Sequence, residues 1–157
     1  MSHELVHDVT DDDHIVRIAR VLILFRPDDV GTVTVPMLTR PKGGFRAGKP
    51  DLPGGRIDPG ETALEAAVRE AKEETFIRLD EDRLEEIYTG VHLDTDTHTF
   101  LQRTLFVVSG IAVPRQLRHS EEHTAIDAVP IQHVAEKLAH PVLSPVIAGY
   151  VDVHVAA

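Results

Sequence analysis

Cysteine, tryptophan and asparagine are absent from all 157 residues. Without cysteine there can be no disulfide, no thiolate zinc site and no thiol nucleophile, and a reducing compartment, the cytoplasm by default, is expected. Without tryptophan no indole can stack on a base. Phe25, Phe45, Phe100 and Tyr88 are left for such a contact, and core packing has first claim on most of them. Positive charge is scarce: 16 Lys and Arg against 26 Asp and Glu give a formal charge of −10, which excludes a broad electrostatic grip on a nucleic-acid backbone. Apolar runs of membrane-spanning length are missing, and "MSHELVHDVTDDDH" is polar where an export signal is apolar, so a soluble, unexported protein with no membrane partner is expected. The rest of the composition is ordinary for a folded chain, 42% hydrophobic and 27% charged. The length suits one domain, with 1–13 as a loose acidic leader and 14–157 as the folded unit.

The segment "HIVRIARVLILF" (14–25) alternates and then becomes continuously apolar, as a strand does when its second half is covered on both faces. "GTVTVPMLTR" (31–40) alternates again after the turn signal "RPDDVG", and the two segments predict a hairpin-like pair. Residues 41–60 are rich in glycine and proline and predict a long loop, a kind that is often functional. A helix opens after Thr62, whose side chain can cap it while Glu65 reaches back. "RLEEIYTGVHL" (83–93) and "HTFLQRTLFVVSGIAV" (98–113) read as strands joined by "DTDT", and "IQHVAEKLA" and "SPVIAGYVDVHV" as C-terminal helices. This order predicts an α/β fold, a mixed β-sheet covered by helices on both sides.

The helix after Thr62 has two faces. At about 100° per residue, Leu64, Ala67, Val68, Ala71 and Thr75 share a stripe that faces the core. Glu70, Glu73 and Glu74 gather elsewhere, beside Arg69. Their mutual repulsion weakens an isolated helix, and negative charge near a helix C-terminus is opposed by the macrodipole. Most acidic helix faces are merely solvated. This one follows a glycine-rich loop, and local stability gives no reason for it. A hard divalent cation does, because Mg²⁺ and Mn²⁺ favour carboxylate and carbonyl oxygens and bind together with substrate phosphates.

Gly55, Glu61 and "REAKEETFI" (69–77) resemble the Nudix box, G-x5-E-x7-R-E-U-x-E-E-x-G-U with U a bulky aliphatic. The first glycine and every fixed charge match. The likeness extends to "DLPGG" just before and to "EEHTAIDAVPIQHVAEKL" (121–138), which is similar to the family's late segment. Two positions depart: Ala71 is small, and Phe76 stands where the family has its last glycine. A glycine there serves a left-handed turn, so this helix is expected to run on or to end differently.

The resemblance implies a Nudix-like α/β/α sandwich and a metal-dependent hydrolase. Its reaction would cleave a phosphoanhydride (pyrophosphate) bond in a nucleoside di- or triphosphate or a nucleoside diphosphate derivative. It implies Mg²⁺, or Mn²⁺, held by Glu70, Glu73 and Glu74 with the backbone carbonyl of Gly55, and Arg69 orienting a glutamate, Glu61, through a charged hydrogen bond. For the base that takes the proton of water, relatives offer either a box residue, here Glu73, or a late acid, here Glu121 or Glu122. Arg40, Lys42, Arg46 and Lys49 stand ahead of the box, where they can meet phosphates. Homodimers are common among such relatives. The alternative is a Nudix-fold protein that binds or senses a nucleotide without turnover; such relatives usually lose box glutamates, which are all present here.

Specificity signals are mostly negative. Ten histidines invite a zinc site, but no H-E-x-x-H occurs; His98, near a polar strand start, is the candidate site-lining histidine. No proline falls between Pro59 and Pro114, unlike relatives that act on ADP-ribose, and 92–95 lacks the tyrosine of those acting on dinucleoside polyphosphates. The missing asparagine removes the base contact used by some oxidised-guanine relatives, leaving Gln102, Gln116 or an aspartate. The missing cysteine excludes the isomerases that share the fold.

Overall fold

The computed structural model describes residues 15–155 other than 45 and 96; the expected leader and Phe45 lie outside them. Strand β1 (Ile15–Phe25) runs through the centre. Its alternation sends Ala19, Val21, Ile23 and Phe25 to one face and Leu22 and Leu24 to the other, all buried. A strand this apolar on both faces cannot lie at a solvated edge, and β1 sits inside a mixed four-stranded sheet. It pairs antiparallel with β4 (Gly54–Arg56) and parallel with β6 (Thr99–Ile111), and β6 pairs antiparallel with β5 (Glu85–Asp94). A second, antiparallel sheet has the order β3 (Pro50–Asp51), β2 (Thr34–Thr39), β7 (Ala125–Pro130).

The expected hairpin between the first two strands does not form, because β2 belongs to the second sheet. Asp28 explains the crossing: its Oδ1 accepts the Val30 and Thr32 amides at 3.0 and 2.9 Å, a turn that carries the chain from one sheet to the other. Val35 and Met37 of β2 then pack onto Leu22 and Leu24 instead of pairing beside them. The glycine-rich stretch also differs from the expected loop, since it contains the short strands β3 and β4, anchored through Val21 N–H to Pro53 O at 3.0 Å. The β5–β6 pair forms as expected, from Glu85↔Val107 to Asp94↔Thr99, with a register shift between Glu86 and Tyr88.

Helices cover both faces of the mixed sheet. Helix α1 (Ala63–Thr75) lays Ala66, Ala67 and Ala71 against Phe106 and Val108. On the opposite side α2 (Ile131–Leu138) and α3 (Leu143–His154) close a larger core over Leu105 and Val107, together with the second sheet. Small side chains let α1 approach closely, so Ala71 in place of a bulky aliphatic is part of the packing. The α1 capping box is complete: Thr62 Oγ1 accepts the Glu65 amide at 3.0 Å and Glu65 Oε1 accepts the Thr62 amide at 2.9 Å.

Phe76 overturns the expectation drawn from the missing glycine. It adopts the left-handed conformation itself, with φ 62° and ψ 15°, and its amide bonds back to Lys72 O at 3.0 Å. The next residues set this turn, because Ile77 and Leu79 must return to the α1 side of the core, where both are buried. The ring stays exposed under the Arg118 guanidinium, 4.1 Å from its centroid, a cation–π contact that offsets part of the backbone cost.

Candidate active site

The C-terminal half of α1 faces the β3–β4 turn across a cleft of about 640 Å³. The turn is held from below. Arg20 donates to the carbonyls of Leu52 (3.2 Å) and Gly54 (2.9 Å), and buried Asp51 accepts from Arg40 at 2.8 Å and lies 3.5 Å from Arg20. This fixes the Gly54 amide, which donates to Glu74 Oε1 at 2.8 Å. Gly54 has no substitute: its φ is 151°, and a Cβ would collide with the Ala19 carbonyl. Gly55 lies directly against Glu70, so that a Cβ there would come within 2.9 Å of the carboxyl carbon.

Arg69 is the hub of the helix end. Its Nε and Nη2 donate to the two oxygens of Glu61 at 2.7 and 2.9 Å, a bidentate pair, while Nη1 reaches Glu70 at 2.8 Å and Glu73 at 3.1 Å. The hydrogen bond from Arg69 holds Glu61 ionised, with its pKa lowered to about 2. Glu74 is the opposite case. Burial pushes its carboxyl up to about 8, the Gly54 hydrogen bond notwithstanding, and the Glu70 and Glu122 charges add to the rise. Burial also raises Glu70. A carboxylate enclosed this far, with like charges facing it, needs a cation to stay ionised at neutral pH.

The late loop supplies the remaining groups. Ser120 N–H donates to Glu74 O at 3.0 Å, tying the loop to the end of α1. Ligand atoms of Glu74, Glu122 and His123 then lie within 4.8 Å of one another. Two acidic oxygens at that separation, with Glu70 beside Gly55, form a donor set suited to a hard divalent ion. His123 is buried, its Nδ1 has no hydrogen-bond partner among the described residues, and its Nε2 is 3.9 Å from Glu74; burial lowers its pKa.

The sequence-predicted residues divide. Gly55, Glu70, Glu74, Glu122 and Arg40 line the cleft. Glu73 does not: its side chain is 57% exposed and touches Arg69 from the outer side of the helix. Glu121 and Glu122 are both exposed, but Glu122 lines the cleft and Glu121 does not. Lys42 and Lys49 are exposed and outside it too, and Arg46 turns away to donate to Leu138 O at 2.5 Å. The loop bends around β3, which points Arg40 inward and the other three cations elsewhere. His98 sits exposed in the β5–β6 turn with φ 55° and does not line the cleft, although Thr97 and Thr99 do.

The NUDIX domain profile matches residues 16–150. This chain belongs to the Nudix family. Among solved structures it is similar to an Ap4A hydrolase of C. elegans in a binary complex (TM-score 0.70, 18% identity, 88% of this chain and 96% of that one). It is also similar to the MutT protein of Methanosarcina mazei Go1 (TM-score 0.69, 20% identity, 94% and 100%). At these identities the likeness is one of fold. A 25-residue stretch is 80% identical to a putative 8-oxo-dGTP diphosphatase of Bacillus subtilis (strain 168), covering 16% of this chain and 17% of that protein. The chain therefore matches only about a sixth of that relative's length.

Box spacing alone did not reveal three groups that line the cleft of this Nudix protein, namely Arg20, Arg103 and His123. A signal for two of them was present. Along β1 the positions Val16, Ile18, Arg20, Leu22 share one face, and along β6 Leu101, Arg103, Leu105 do the same. A lone arginine in an apolar strand face marks the point where the core gives way to a cleft.

Proposed function

We propose that this Nudix protein is a Mg²⁺-dependent pyrophosphohydrolase of nucleotides or nucleoside diphosphate derivatives, acting in the cytoplasm. The observation that carries the reading is the convergence of Glu70, Glu74 and Glu122 on the Gly54–Gly55 turn at one end of the cleft. The donor set fits a hard divalent ion on chemical grounds: Glu74 is buried, faces other carboxylates, and resists ionisation until a cation offsets them. Glu70, Glu74, Glu122 and the Gly55 carbonyl would hold it. When bound, the metal neutralises the phosphate charge and lowers the pKa of its water.

The chain's own groups do the rest. Arg69 locks Glu61 and orients Glu70, so the carboxyl next to Gly55 is placed before substrate arrives. Arg40, on the cleft wall beside Pro41, meets a phosphate of the incoming chain. Glu122 stands on the late loop facing Glu70 and Glu74, where its charge completes the cation-holding set. Glu73, outside the lining, supports Arg69. No helix among the described residues is long and apolar enough to cross a membrane.

The test is a panel of nucleoside triphosphates, nucleotide sugars and dinucleotides incubated with Mg²⁺ and followed by ³¹P NMR. Release of phosphate, pyrophosphate or a nucleoside monophosphate, lost in Glu70→Gln and Glu122→Gln, supports the reading. No turnover of any compound leaves a nucleotide-binding protein instead.

A further inference from the structure

The cleft has a second half that the diphosphate chemistry leaves unused. Its floor is formed by Val16, Ile18 and Leu101, flat aliphatic contacts on one face of β1 and β6, and from that floor rises Arg103. Arg103 is half-buried. It makes no hydrogen bond or ion pair with the described residues, in contrast to Arg20, Arg40 and Arg69, each of which donates to carbonyls or carboxylates. A guanidinium withdrawn from water without acceptors is costly. Burial, with the neighbouring Arg20 charge, lowers its pKa against the opposing pull of Tyr88 and Asp94.

Asp94 on the cleft wall and Tyr88 act on it through charge, without a hydrogen bond. Directly across on β5 stands Gly90, which offers no side chain, and a Cβ there would collide with the Tyr88 hydroxyl. Tyr88 and His92 close over that glycine and satisfy each other at 2.7 Å, so neither turns to the guanidinium. Arg103 thus presents its fork to the cleft. β6 lies two strands from β4, roughly 10 Å from the Gly55 turn at sheet spacing, about the reach of one nucleoside from its phosphates.

We propose that Arg103 reads the base of the substrate by donating two parallel N–H bonds to a pair of adjacent acceptors. An aliphatic floor suits a base face, where a phosphate would seek water or further cations. Guanine (O6 and N7) and cytosine (O2 and N3) carry such a pair. Adenine sets an amino donor beside each ring acceptor on its exposed edges. Uracil carries an N–H between its carbonyls, and 8-oxoguanine has a proton on N7. Guanine and cytosine nucleotides are therefore accepted ahead of the other three. This inference rests on the nucleotide reading of the same cleft.

The test separates the two. Binding of the α,β-methylene analogues of GTP, CTP, ATP, UTP and 8-oxo-GTP is measured by calorimetry with Mg²⁺, and kcat and KM are measured for the natural triphosphates. The expected result is a preference of about 10-fold or more for the guanine and cytosine compounds. It should be carried by KM and collapse to within about threefold in Arg103→Gln, with part of it restored in Arg103→Lys. Thermal midpoints check that each variant is folded. A preference unchanged in Arg103→Gln, a preference for adenine, or no binding of any analogue overturns the inference. Analogue binding with the expected preference but no hydrolysis overturns the hydrolase reading and leaves the base reading intact.

Discussion

Replacing Glu74 with glutamine should make the metal-free protein more stable at alkaline pH. The side chain keeps its shape and an oxygen to accept the Gly54 amide, now at 2.8 Å, but it no longer has to ionise. In the wild type the carboxyl titrates near 8 in the folded state against an ordinary value of 4.5. The folded state therefore binds more protons than the unfolded chain between those values, and stability falls as pH rises across that window. From pH 5.5 to pH 9 the loss is on the order of 3 kcal/mol, at 1.36 kcal/mol per unit of pKa difference. For a chain of this length that is a fall in thermal midpoint of about 6–12 °C. The assay is thermal and urea denaturation in EDTA at several pH values, comparing wild type with Glu74→Gln. The wild-type curve should slope downward relative to the variant, and Mg²⁺ at pH 8 should restore the wild type while leaving Glu74→Gln little changed. Parallel pH profiles in EDTA would refute the reasoning, because they would mean that Glu74 ionises in the fold without cost.

The same geometry sets further expectations. Gly55→Ala should weaken Mn²⁺ binding at least tenfold by calorimetry while lowering the thermal midpoint little, since the new methyl meets only the movable end of Glu70. Glu61 has its pKa lowered to about 2, so its contribution is present above pH 4.5 and lost as pH falls toward 2. Arg69→Ala should remove that share of the acid sensitivity, read as urea midpoints at pH 5 and 3.5. Phe76→Gly should stabilise by up to about 1 kcal/mol, the left-handed penalty less the lost cation–π contact, seen in urea unfolding; Arg118→Ala should destabilise by less than about 1 kcal/mol.

Local features were legible in the sequence because local rules govern them. The Thr62–Glu65 capping box, the core stripe of α1 and the β5–β6 pair depend on residues close in the chain, and periodicity reports them directly. The partner of β2 was not legible, because alternation gives a strand its faces and leaves its neighbours open; a tight Asp28 turn serves a crossing between sheets as well as a hairpin. The same limit applies within the site. Helical spacing puts Glu73 beside Glu70 and Glu74, but the direction of the cleft is set by the β3–β4 turn, which takes Glu70 and Glu74 and leaves Glu73 on the outer side. Arg46 shows the cost of reading a loop by composition alone, since a cation ahead of the box is as well spent on the Leu138 carbonyl as on a phosphate.

The most direct test of the cation site is a Mn²⁺ titration followed by the EPR signal of the free ion. Wild type should remove Mn²⁺ from solution at a defined stoichiometry, and Glu70→Gln, Glu74→Gln and Glu122→Gln should each weaken that uptake at least tenfold, with Glu121→Gln as the unaffected control. Equal uptake by all five proteins would contradict a cation site at the Gly55 turn.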